Sequence, residues 1–388
     1  MNEERKKILG LVQDGKLSAQ EAIILLEALE KDEKMQEPSE SDKKVDENTG
    51  AETNKTDTKK ESTSDNSQSN GEQSSENQKD DTFYSQLENA GERIFDFVNN
   101  ALHKIKHIDF QFNQSVDIPH TFQQTDNEIE KIDIDIANGP MRIVAWDQAD
   151  VRIECQAKVY RSDDREEARK YFLDNTIFSI ENGLLCFATQ SKWMRVETVV
   201  YIPKKEYKKI TIRIFNGGLT GEDIQSELLT VKTTNGKVEL AKLEGKKFEV
   251  DTVNGQINVK DSKVDEIEAE TVNGTVDVSG IFQVAELQSF NGNITCTLPK
   301  TGAKRIEAKV VTGNINIYVP EGATIDGDVR SNLGSYKLDL EGINVSHEKK
   351  EIVQKQIQFK RPGSDEEVIR LLADTKTGSV LVRHSESL

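Results

Sequence analysis

A recurring phrase constrains this chain more than any other feature. "TVKTTNGKVEL" at 230–240, "EVDTVNGQINV" at 249–259 and "AETVNGTVDV" at 269–278 each set Asn-Gly between two runs of alternating apolar residues. The pairs are Asn235-Gly236, Asn254-Gly255, Asn273-Gly274 and Asn291-Gly292, and the series continues at Gly313 and Gly334. From Gly236 to Gly334 the glycine steps are 19, 19, 18, 21 and 21 residues. An earlier copy, "IDIDIANGPMRIVAW", carries Asn138-Gly139, and a last one, "LADTKTGSVLV", puts Gly378 after an insertion. A period of about twenty residues marks stacked repeats, in which no unit is stable without its neighbours.

Within one unit, Phe248, Val250 and Thr252 share a strand face, and Ile257 and Val259 share one after the glycine. The next units put Ile267, Ala269, Thr271, Val276 and Val278 in those places, then Leu287, Ser289, Ile294 and Cys296. Such period-two alternation describes half-buried strands. Asn-Gly suits a turn that needs positive φ, where a β-carbon clashes. Taken singly, each unit also fits a type I′ hairpin. Equivalent side chains at nearly constant spacing favour coils stacked in register, with Thr252, Thr271 and Ser289 in one file and Val259, Val278, Cys296 and Ile317 in another. The expected fold is mainly β: a parallel β-solenoid of ~20-residue repeats with Asn-Gly turns over 128–388, interrupted by one helix-like stretch at 161–176. The outward residues, among them Glu249, Asp251, Glu268 and Glu270, read as a solvated sheet face.

The first part of the chain has other patterns. Residues 1–30 predict a helical hairpin: Gly15 stops the first helix, and Ser18 with Glu21 forms a capping box for the second. Ile23, Ile24, Leu25, Leu26 and Leu29 give that helix an apolar surface wider than one stripe. Two short helices bury little by themselves. The hairpin is therefore expected to dock, on a protein partner or on a second copy of itself. Residues 31–81 are acidic and polar, the composition of a disordered tether. In 82–110, Phe83, Leu87, Ile94, Phe97, Val98, Leu102, Ile105 and Ile108 recur at intervals of three and four, predicting an amphipathic helix. Such a helix suits packing on the β-region, peripheral contact with a membrane, or a partner helix.

Several function classes are disfavoured. The net charge of −18 argues against a nucleic-acid partner, which needs clustered Lys and Arg. Cys155, Cys186 and Cys296 form no CxxC pair and read as buried thiols of a reducing compartment. The opening "MNEERKKILG" lacks a signal-peptide apolar core, and no run approaches the ~18 apolar residues of a membrane span. The expected location is cytoplasmic, with or without peripheral membrane attachment. Of the five His, four fall outside the regular repeats and His347 falls in the insertion. No catalytic motif, metal-ligand set or cofactor site is nominated. Trp193, beside Lys192 and Arg195, suggests either an aromatic–cationic patch or, with Trp146, an end cap.

Two resemblances follow from these motifs. The hairpin "ILGLVQDGKLSAQEAIILLEALE" resembles the SHOCT-like domain, whose hallmark is Asp-Gly-Lys-Leu-Ser/Thr before a Glu-Ala helix. The Asn-Gly units resemble the adhesin-like β-strand-repeat family, a bacterial domain of unknown function. The resemblance implies no catalytic residues to carry over. It implies an association with cell-envelope stress systems, and its adhesin label derives from the β-repeat form. The expected function is a non-enzymatic scaffold in an envelope-stress response. A surface adhesion module is the alternative, and a solenoid carbohydrate enzyme a remote one.

Overall fold

The computed structural model describes residues 114–125, 128–351 and 353–385. The expectations for the hairpin 1–30, the linker 31–81 and the helix 82–110 lie outside the described residues. So do Ser18, Glu21, Ile23, Ile24, Leu25, Leu26 and Leu29.

The described residues are mainly β, with 23 strands and one helix. Alternation dictates what each strand buries. In β12 (Glu244–Asn254), Phe248, Val250 and Thr252 point into the core, and Glu249 and Asp251 point out. β8 (Glu206–Asn216) pairs in parallel with β10 (Gln225–Asn235), and β10 with β12. The ladder continues through β13 (Ile257–Asn273), β14 (Val276–Asn291) and β16 (Arg305–Thr312).

Past each glycine the chain joins a second parallel ladder. Its members are β9 (Leu219–Glu222), β11 (Val238–Ala241), the first residues of β13 and β14, then β15 (Ile294–Thr297) and β17 (Ile315–Val319). The two strands flanking a glycine thus pair with the rungs on either side. The register sets Thr252 beside Thr271 and Thr271 beside Ser289. It likewise aligns Val259, Val278, Cys296 and Ile317.

The last rungs depart from chain order. Read along the sequence, the corners succeed one another as Gly313, Gly334, Gly378. In the structure β16 pairs with β22 (Val368–Thr377), and β22 pairs with β18 (Thr324–Leu333). The rung of Gly378 therefore lies between those of Gly313 and Gly334. The chain lays down β18 one rung too far, makes a hairpin, and returns to fill the gap. That hairpin, β20 (Asn344–Lys350) with β21 (Lys355–Arg361), covers the far edge of β18 with antiparallel pairing.

The other end is also antiparallel. β1 (Ser115–Thr125) pairs with β4 (Asp150–Tyr160), β4 with β7 (Met194–Pro203), and β5 (Thr176–Glu181) with β6 (Leu184–Thr189). β7 and β6 then join the parallel rungs through β3 (Met141–Trp146) and β2 (Lys131–Asn138). Parallel pairing is thus confined to the inner rungs. An end rung leaves a row of unpaired backbone groups, and an antiparallel strand from a short turn covers it. β1 also starts well ahead of the predicted boundary at 128.

The helix α1 (Arg165–Asp174) starts where Asp164 accepts hydrogen bonds from the N–H groups of Glu166 at 2.7 Å and Glu167 at 2.9 Å. It buries Ala168 and Phe172. Phe122 of β1 stacks on Phe178 of β5 at 5.2 Å between centroids, closing the interior at this end.

Cys155 and Cys296 are buried, and burial pushes both thiols up to about 12. Cys186 is half-buried. Thiolate is the reactive form. Under native conditions, alkylation followed by intact-mass measurement is expected to modify Cys186 alone, with the other two thiols reacting only after unfolding.

Candidate functional site

The glycine corners bring most of the sequence-nominated residues together. Asn216 donates from its side-chain amide to Asn138 at 2.9 Å, and Asn235 to Asn216 at 2.8 Å. The file continues with Asn254 to Asn235 at 3.0 Å, Asn273 to Asn254 at 2.9 Å and Asn291 to Asn273 at 3.1 Å. Six asparagines thus form one amide ladder. Asn216-Gly217 was not among the nominated corners, although "IFNGG" carries the same dipeptide. Beyond Asn291 the position passes to Thr312, Thr377 and Leu333.

The glycines stack with their backbones in contact. A β-carbon on Gly217, Gly236, Gly255, Gly274, Gly292, Gly313, Gly378 or Gly334 would lie 1.7–2.0 Å from the carbonyl oxygen of the preceding glycine in the stack. This corrects the expected reason for glycine at several corners. Gly139 does adopt a φ of 127°, but Gly236, Gly255, Gly274 and Gly334 lie outside the left-handed region. There the requirement is close approach, not positive φ.

The inward hydroxyls complete the corner. Thr233, Thr252, Thr271 and Ser289 donate to the carbonyls of Gly217, Gly236, Gly255 and Gly274 at 3.1–3.4 Å. Thr375 and Ser331 do the same for Gly313 at 2.9 Å and Gly378 at 2.8 Å. Threonine and serine are the small side chains able to satisfy a buried carbonyl here without leaving the apolar file.

The outward face is more ordered than a merely solvated sheet. Lys232 reaches Asp251 on the next rung at 2.8 Å. Lys247 lies 3.4 Å from Glu249, 3.0 Å from Glu266 and 3.7 Å from Glu268. Arg305 pairs with Glu286. The register aligns Glu249, Glu268, Glu286 and Glu307 on four successive rungs. Burial holds the Glu268 carboxyl above its ordinary range, Lys247 opposes, and Asp251, Glu249 and Glu286 add to the rise.

The tryptophans are half-buried. Trp193 lies under the Arg161 guanidinium, 3.5 Å from the ring centroid, with Lys192 at 5.2 Å. Arg195 instead approaches Glu197 at 3.6 Å. Trp146 packs on Tyr201 at 5.0 Å and donates from Nε1 to the Asp150 carbonyl at 2.9 Å. A cleft of about 380 Å³ at the opposite corner sets Lys204, Lys205, Lys242 and Lys263 against Asp223, Glu244 and Asp261. Its mixed charge gives no single-sign field for a polyanion. Among the described residues, no group of three or more His, Cys, Asp or Glu side chains is arranged to hold a metal ion. No described helix is long and apolar enough to cross a membrane.

A mainly β domain of stacked, glycine-cornered rungs defines the class. The chain belongs to the Toastrack DUF4097 family, whose profile matches residues 129–368, and residues 3–34 match the SHOCT-like domain. It is 38% identical over 391 residues to "Uncharacterized protein YvlB" of Bacillus subtilis, covering 100% of both chains. Among solved structures it is similar to a "putative cell adhesion protein" from Clostridium sporogenes, at 11% identity and a TM-score of 0.26, over 69% of this chain and 100% of that one. A "putative lipid binding protein" from Parabacteroides distasonis gives 13% identity and a TM-score of 0.40 over 69% and 97%.

Two outcomes are expected. Gly274→Val puts a β-carbon 1.7 Å from the Gly255 carbonyl, so it should cost at least ~2 kcal/mol in chemical denaturation. For Glu268, a folded pKa above the unfolded value of ~4.3 means that the folded state binds the proton more tightly. Ionisation therefore costs stability above that pH. Glu268→Gln should raise the urea midpoint near pH ~7, and the gain should vanish near pH ~4.

Proposed function

We propose that this protein is a non-enzymatic interaction scaffold, in which a parallel β-solenoid presents rigid outer faces and the N-terminal hairpin docks a partner. The observation that supports this reading is the register of the outer columns. Ion pairs between successive rungs, such as Lys232 with Asp251 and Lys247 with Glu266, hold long side chains in fixed rows. Each exposed pair contributes only about 0–1 kcal/mol. Their effect is to pre-order a surface, which lowers the entropy cost of binding. A tether between hairpin and β-domain would raise the effective concentration of one partner near the other. The proposed location is the cytoplasm, with action in a cell-envelope stress response as the family resemblance implies.

The full-length chain carrying Leu25→Asp tests the docking role. Affinity capture from bacterial cells should lose the partners seen with the parent protein, while thermal melting of the β-domain stays unchanged. Identical capture by both proteins overturns the hairpin's role. Digestion of the protein by protease added outside intact cells would move the reading to a surface adhesion module.

A further inference from the structure

The closing hairpin covers only one side of the last rung. β18 and β19 (Tyr336–Asp339) belong to that rung, and β21 and β20 continue the sheet two strands past β18. On the other side, among the described residues, β19 pairs with β23 (Val380–His384) and with nothing further. The second ladder runs in one direction. From Met141 to Val380, the first inward residue of each rung donates its N–H to a carbonyl of the following rung, at 2.8–3.0 Å. The last three of these bonds run from Ile294 to Asn314, Ile315 to Ser379 and Val380 to Ser335. Tyr336 comes next in the series, and no described rung follows it.

Strand alternation fixes which groups are left. The Ser335 carbonyl faces β23, so the N–H and C=O groups of Tyr336 and Leu338 face the open side. At the corner itself the series is stopped, because Lys355 of β21 donates from Nζ to the Gly334 carbonyl. Beyond the corner it stays open. Val380 and Val382 on the preceding rung are buried, whereas Tyr336 and Leu338, which stack on them, are half-buried. The Tyr336 hydroxyl donates to Glu348 of β20 at 2.6 Å and braces the step between the two sides. Leu333, at the corner of this rung, and Val345, on β20, are 58% and 53% exposed. On the outward face the Lys337 and Asp339 side chains are 70% and 57% exposed.

We propose that this edge receives an extended segment of a partner protein, added as one further parallel strand. An unpaired strand edge is a template for such addition. Continuity with the ladder defines the segment. Each rung already seated there puts apolar residues at two alternate positions, as Ile315 and Ile317 do, and then Val380 and Val382. The partner therefore carries β-branched residues over Tyr336 and Leu338. Opposite Lys337 it carries an acid and opposite Asp339 a base, because facing charges on neighbouring strands attract when opposite and repel when alike. Among the described residues, a second copy of this chain has no such strand to offer. Its rungs are paired on both sides, and its other end presents β1, where Pro119 lacks an N–H. The inference goes beyond the scaffold reading and does not depend on the N-terminal hairpin, since the site lies wholly on the β-domain.

The test uses the full-length protein, amide hydrogen exchange resolved by residue, and a capped peptide with Val-Glu-Val-Lys at its centre. Without peptide, the Tyr336 and Leu338 amides should exchange at least about a hundredfold faster than those of Lys337 and Asp339. Millimolar peptide should slow the two open amides at least about tenfold. Lys337→Glu should leave the melting temperature unchanged, weaken this peptide about tenfold and favour a Val-Lys-Val-Lys peptide instead. Edge amides as slow as their neighbours in dilute protein would mean that the chain itself covers the edge, and overturn the proposal. Slowing that rises with protein concentration would assign the edge to a second copy and overturn it as well. No response to the peptide also overturns it, and an equal response to Val-Lys-Val-Glu overturns the partner's charge pattern.

Discussion

The rest of the structure depends on how closely successive backbones approach at the glycine corner. With a β-carbon 1.7–2.0 Å from the previous glycine's carbonyl, no other residue fits without moving a rung. The approach would bury that carbonyl unpaired if nothing answered it, and an unpaired buried carbonyl costs ~1–3 kcal/mol. The hydroxyl two residues before Asn235, Asn254, Asn273 and Asn291 answers it from inside, as Thr271 does for Gly255 at 3.2 Å. The asparagine answers its own neighbours outside. From Asn235 to Asn291 glycine, hydroxyl and amide recur together at the same height, whereas the close glycine approach alone runs through every corner from Gly139 to Gly334. A slip of one residue would turn Thr271 outward and expose every buried residue of its strand.

Repetition alone does not produce a finished protein, because a stack of identical rungs has two open ends. Here both are closed by changing strand direction. Phe122 and Phe178 meet across one end, and Arg361 of β21 secures the other by donating to the carbonyls of Glu341 at 3.0 Å and Glu321 at 2.7 Å. The return of β22 between β16 and β18 belongs to the same solution. Filling the gap last lets the insertion that carries β20 and β21 remain at the end, where β18 needs an antiparallel neighbour.

How much of this was legible in the sequence follows from what is local. Inward and outward faces were readable, because Phe248, Val250 and Thr252 alternate with charged residues whatever lies above them. The file of Thr252, Thr271 and Ser289 was readable from constant spacing. The order of the last rungs was not, since "LADTKTGSVLV" looks the same whether it stacks after or before the rung of Gly334. The role of Gly274 was misread for a similar reason: positive φ is a local property, while contact with Gly255 appears only when two rungs are superposed. β1 was missed because "SVDIPHTFQQT" alternates weakly and contains Pro119. Proline is tolerated on an edge strand, and among the described residues β1 pairs only with β4. The expected hairpin, tether and amphipathic helix fall outside the described residues.

The outward columns show what such a stack can do that a globular core cannot. Glu249, Glu268, Glu286 and Glu307 stand one rung apart, an arrangement that like-charge repulsion opposes. It is tolerated because backbone contacts at the corners and apolar files within already set the register, and because Lys247 and Arg305 lie among the carboxylates. The outer face is therefore decoupled from the fold. A rung can exchange an outward side chain at little cost to stability, whereas its corner glycine and its buried inward residues are held by their neighbours on both sides. That separation lets one architecture carry many different surfaces, because the columns are free to vary where the core is not.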